Sequence, residues 1–169
     1  WDENDDFNIV STGTVTDNDG NIYDTVIIND KEWMVQSLRT TTYNNDSAIP
    51  TGLDNSTWTS TTDGAYAVYD DNPDNAETYG NLYNWYAVET GNLAPTGWHV
   101  ATDAELTDLE DYLTAQEFDG TEGNALKEEA YEHWTDDGEP DHEGLDAFGF
   151  TALPGGDRNL DGNYVGMGL

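Results

Sequence analysis

The chain has no cysteine, so no disulfide staples it. An exported protein of this size can do without disulfides, so this absence leaves the compartment open. Bases are nearly absent as well. Lys31, Arg39, Lys127 and Arg158 face 36 acids, and the net charge is −32. Phosphate backbones are held by clustered Lys and Arg, so nucleic acid is excluded as a partner. An anionic membrane surface is excluded for the same reason. No apolar run approaches the length of a membrane span, which argues against membrane insertion. The opening residues Trp1-Asp2-Glu3-Asn4-Asp5-Asp6 are not a signal peptide and read as the start of a processed chain.

What is present is aromatic. Apolar residues make up only 36 %, but there are six Trp and ten Tyr in 169 residues. Each such ring buries a large area and keeps a polar tip, so an aromatic core wrapped in polar loops is expected. Regularly spaced aromatics argue against disorder, despite the acidic composition. The unpaired carboxylates have two readings. One is halophilic adaptation, in which salt screens their repulsion. The other is a surface that collects Ca²⁺ or Mg²⁺.

Residues 12–36 read as strands. Asp17-Asn18-Asp19-Gly20 is a turn, residues 22–28 are β-branched and aromatic, and Asn29-Asp30 turns the chain again before Trp33-Met34. Residues 39–63 read as a long ordered loop pinned by Tyr43, Ile49 and Trp58, and residues 65–69 as a strand. Residues 79–88 suggest a short helix carrying Leu82, Trp85 and Tyr86 inward. Thr102 and Glu105 form a capping box, after which Leu106, Leu109, Tyr112 and Leu113 share one helical face. A third short helix is expected around Leu126. Residues 136–146 read as an acidic loop. Residues 148–153 read as a strand entering the Gly155-Gly156 turn, and Asp161-Gly162 as a hairpin turn. Trp33, Trp85, Trp98, Leu106, Leu109 and Leu113 are the expected core.

Three blocks stand out in order: Tyr79-Gly80-Asn81-Leu82-Tyr83-Asn84-Trp85-Tyr86, then Ala94-Pro95-Thr96-Gly97-Trp98-His99, then Phe150-Thr151-Ala152-Leu153-Pro154-Gly155-Gly156-Asp157-Arg158. Together with Trp33-Met34 they resemble the FISUMP family, the Fibrobacter succinogenes major paralogous domain, over nearly the whole chain. The resemblance implies an α+β, C-type lectin-like fold, related to sulfatase-modifying factors. Two or three short helices, small antiparallel sheets and long ordered loops are expected. It also implies a bacterial protein, secreted or attached to the cell surface, with no established reaction. Formylglycine-generating relatives use cysteines, so that chemistry is excluded here. Ala94 stands where many members carry a cysteine, and the chain stops at Leu169 where members continue into a further strand. Residues 12–169 are therefore expected to form one domain lacking the family's C-terminal part, preceded by an extended segment at residues 1–11.

Candidate sites are few. Asp17 and Asp19, and Asp70, Asp71 and Asp74, have carboxylate spacings that suit Ca²⁺, against the plainer reading of turns and solvated loops. Trp58, Tyr66 and Tyr69 could stack on sugar rings or fill the core. Asn45 and Asn55 begin N-x-S/T sequons. His99 reads as a core or hydrogen-bonded residue. Arg158 is expected to pair with an acid. No H-E-x-x-H, G-x-S-x-G or P-loop pattern occurs, so no catalytic residue is assigned and no cofactor is required. Phe7-Asn8-Ile9-Val10 is a candidate assembly strand that could add to an open sheet edge of a second copy and build a filament. The function expected is a non-enzymatic structural or adhesive module of the cell exterior, with a carbohydrate-binding module, Ca²⁺-assisted or not, as the alternative.

Overall fold

Burial on both faces of Ile22–Ile28 builds the main sheet. Tyr23 and Thr25 are buried on one face of the strand and Val26 and Ile28 on the other, while Ile22, Asp24 and Ile27 are exposed. The computed structural model describes residues 11–136, 138 and 143–169, with the side chains of residues 11 and 12 excepted. β1 (Ser11–Thr16), β2 (Ile22–Ile28) and β3 (Lys31–Met34) form an antiparallel sheet in the order β1-β2-β3. The turn between β2 and β3 holds Asn29 at φ 51° and Asp30 at φ 60°. Positive φ at both central residues gives a two-residue hairpin its right-handed twist, and Asn and Asp tolerate it best after Gly.

Two further ribbons are shorter. β4 (Tyr66–Ala67) pairs with β5 (Leu82–Tyr83), and β6 (Gly155–Arg158) with β7 (Tyr164–Met167). The helices are α1 (Asn55–Ser60), α2 (Asn75–Tyr79), α3 (Trp85–Glu89), α4 (Asp103–Leu113) and α5 (Glu122–Leu126). The architecture is α+β, as expected, but with five helices among the described residues. α1 and α2 are unforeseen, and they and α3, which falls within the helix expected over residues 79–88, are one turn or little more. Asp54 and Asn84 cap α1 and α3 by accepting from the Thr57 and Ala87 amides, so local capping supplies what periodicity cannot signal in five or six residues.

The core is divided. Val26 and Ile28 of β2 meet Leu109 and Leu113 of α4 and Ala125 of α5, with Trp33, Phe148 and Phe150 packed around them. Tyr43, Ile49, Ala87 and Leu93 form a second cluster, and Trp58, Ala65 and Ala67 a third. Tyr43, Ile49 and Trp58 thus pin the long segment as predicted, although α1 interrupts it.

Several expectations are corrected. The helix expected over residues 79–88 is instead the end of α2, then β5, then α3. Trp85 is 69 % exposed and is not a core residue. α3 buries only Ala87, and a side chain two positions away lies about 200° around the helix. Leu106 is 51 % exposed, because it lines an open cleft with β3 and lies outside the cluster that holds Leu109 and Leu113. Trp98 is half-buried. The strand expected over 148–153 is irregular chain, and Gly155-Gly156 opens β6. Arg158 makes no ion pair among the described residues. It donates to the carbonyls of Gly162 (2.9 Å) and Leu53 (2.9 Å) and lies over the rings of Trp58 and Tyr164.

Candidate functional site: a cleft between β3 and α4

The capping box sets one wall. Thr102 Oγ1 accepts from the Glu105 amide (3.3 Å), and Glu105 Oε2 accepts from the Thr102 amide (2.9 Å). This fixes the Glu105 carboxylate at the head of α4, where it also meets His99 Nε2 at 2.8 Å and, at 4.0 Å, Lys31 Nζ. The bonds from Thr102 and His99 hold the Glu105 carboxyl down at about 2. His99 is therefore hydrogen-bonded, as one of its two readings had it, but exposed rather than in the core.

Between this wall and β3 lies a cleft of about 540 Å³. All four residues of β3 line it, facing Trp98, Ala101 and Leu106, and Phe150 also contributes to the lining. The Trp33 ring meets Phe150 edge-on at 6.0 Å, and its indole N–H is buried without a partner among the described residues. The lining is largely apolar, and its polar groups engage one another. Glu105 already accepts from Thr102 and contacts His99, so it is a poor general base for chemistry on a bound molecule.

The predicted sites fall elsewhere. Asp17 is buried and accepts from the amides of Asp19 and Asn21 (2.9 Å each) and from the Tyr23 hydroxyl (2.6 Å). Asp19 Oδ2 accepts from the Thr41 amide and from the Thr41 hydroxyl at 2.9 Å. Donors occupy both Asp17 oxygens and Asp19 Oδ2, which supports the plainer reading of a hydrogen-bonded turn beside the calcium one. Asp71 accepts from the Tyr164 hydroxyl at 2.6 Å, while Asp70 and Asp74 are exposed. Burial, then the bond to Asp71, pushes the Tyr164 phenol up to about 12.

Trp58 is buried under Arg158 and offers no platform for a sugar. Tyr66 packs on Tyr83, and Tyr69 on Tyr164. Asn45 and Asn55 are exposed. The Asn55 amide is engaged by Arg158 and Asn163, and the Asn45 carbonyl oxygen accepts from Ser47. The candidate strand Phe7–Val10 and the remaining histidine, His142, lie outside the described residues.

One cluster was missed by sequence spacing. Glu128, Glu132 and His133 bring ligand-type atoms within 4.8 Å of one another. Glu128 is buried and accepts from the His133 amide and meets its Nδ1, both at 2.7 Å. A divalent cation could be held here only by displacing that pairing.

Comparison with known proteins now bears on the cleft. Residues 26–168 match the Fibrobacter succinogenes major domain. The chain belongs to that family. No curated protein and no solved structure matches it. Among the residues that carry the FISUMP resemblance, Trp33-Met34, Gly97-Trp98-His99 and Phe150 come together at the cleft. The cleft joins FISUMP-like segments that are far apart in sequence. The signal available beforehand was Lys31, a rare base two residues before Trp33.

Proposed function

We propose that the chain is a non-enzymatic structural or adhesive module of the cell exterior, and that it attaches to a partner polypeptide through the cleft between β3 and α4. On this reading residues 12–169 act as one domain, and no cofactor is required. The observation that carries it is the convergence of Trp33, Trp98 and the half-exposed Leu106 on one open, largely apolar cleft beside Lys31. Exposed apolar surface rimmed by polar groups is characteristic of interaction sites. The mutual engagement of His99 and Glu105 favours binding over catalysis.

Labelled full-length chain should be retained on a surface bearing immobilised full-length chain, and Leu106→Asp should abolish that retention. Equal retention of both proteins would overturn the reading.

A second reading has support from the same cleft. Trp33 and Trp98 beside Lys31, His99 and Glu105 are groups that could stack on and hydrogen-bond a sugar, in keeping with a C-type lectin-like fold and a carbohydrate-binding module. Binding on a glycan array that Trp98→Ala removes would favour it over the polypeptide partner.

A further inference from the structure

The outer edge of β3 is open. The sheet order β1-β2-β3 gives it no strand on that side among the described residues. Ile28 and Lys31 flank the two-residue turn and so form a hydrogen-bonded pair, as do Val26 and Trp33 two positions on. The amides and carbonyls of Glu32 and Met34 must then point away from β2. Neither residue makes a backbone bond on that side among the described residues. Side chains alternate along a strand. That Lys31, Glu32, Trp33 and Met34 all line the cleft means β3 presents its edge to it, not one face.

We infer that this edge is a strand acceptor, and that its occupant is the segment Phe7-Asn8-Ile9-Val10 of a second copy of the chain. The inference rests on the cleft being the binding surface. Four added residues span about 13 Å, the length of β3. Phe7 and Ile9 fall on one side of an extended segment and supply apolar side chains to a cleft walled by Trp98 and Leu106. Asp5-Asp6 precede them, and Lys31 is one of four bases in a chain of net charge −32. Placing those acids beside Lys31 sets the added strand parallel to β3, with Val10 at Met34.

The chain cannot fill its own acceptor in this register. Ser11 pairs with Val26, which pairs with Trp33. Ser11 therefore lies on the far edge of the sheet, three strand spacings, or about 14 Å, from a strand added outside β3. Val10 and Ser11 are adjacent, and adjacent Cα atoms are only about 3.8 Å apart. The donor must come from another copy. Such a head-to-tail contact generates a linear series wherever its rotation does not close a ring.

Sedimentation equilibrium of the full-length chain at high salt, where charge repulsion is screened, tests this. The average mass should rise with concentration. Ile9→Asp removes the donor, and Glu32→Pro removes an outward amide while sparing the backbone bonds to β2, although the Glu32 carboxylate that accepts from Thr25 Oγ1 (2.6 Å) goes with it. Each variant alone should stay monomeric with native circular dichroism. Their mixture should form a one-to-one dimer and nothing larger, because one keeps the acceptor and the other the donor. A fold defect cannot produce that complementation. A chain that is monomeric throughout, or an association that survives both substitutions, overturns strand addition. If association survives both substitutions but Leu106→Asp abolishes it, strand addition falls and the cleft reading stands; if the chain is monomeric throughout, or Leu106→Asp changes nothing, the cleft reading falls with it.

Discussion

Tyr23 donates its hydroxyl to Asp17 Oδ2 across 2.6 Å, and both residues are buried. The same phenol oxygen accepts the Arg39 amide at 3.1 Å, and the Arg39 guanidinium lies 5.3 Å from the ring. The pair ties the β1–β2 turn to the long segment that follows β3. Burial and the bond to Asp17 both push the phenol above its ordinary range. Tyr23→Phe deprives Asp17 of a donor and Arg39 of an acceptor. It should cost about 1–3 kcal/mol in denaturant unfolding. An unchanged midpoint would show that water replaces the hydroxyl at no cost.

Monovalent salt should raise the melting temperature. Thirty-six acids against four bases leave most carboxylates without an opposite charge, and counter-ions screen their repulsion. Millimolar Ca²⁺ should add little beyond sodium chloride of equal ionic strength, because donors already occupy both Asp17 oxygens and Asp19 Oδ2. Thermal melts in the two salts check this, and a large calcium-only shift would restore a metal site.

Glu105 should contribute a pH-dependent share of stability. Its carboxyl is held below its ordinary value of 4.5, at about 2. A depressed acid stabilises the fold above its unfolded value, and that contribution is lost as pH falls through the folded value. Glu105→Gln should therefore lower the melting temperature most near pH 6. The gap from the natural chain should close as pH falls toward 2. A constant gap would assign the effect to shape and not to charge.

The tryptophans should separate by burial. Trp58→Ala removes a buried ring from beneath Arg158 and should cost about 3–5 kcal/mol. Trp85→Ala, at a largely exposed position, should fall within about 0.5 kcal/mol of the natural chain. Paired urea titrations decide it.

Local chemistry made part of this legible in sequence. Asn29-Asp30 announces its hairpin, Thr102 and Glu105 announce the start of α4, and Tyr43, Ile49 and Trp58 are too apolar for an exposed loop. Trp85 misled because burial of a one-turn helix is decided by what packs on it, not by its own pattern. The cleft was invisible because Lys31, Trp98 and Phe150 meet only through tertiary packing, and Leu106 shares its face with residues that are buried. The open edge of β3 likewise follows from sheet order, which local spacing does not encode.

Hydrogen–deuterium exchange on the full-length chain at high concentration and high salt, compared with the chain in dilute solution, tests the cleft most directly. The account predicts protection concentrated at Lys31–Met34 and at residues 97–106, with the Glu32 and Met34 amides slowed most. Exchange unchanged there, with protection gained around Trp85 or another surface, would contradict it.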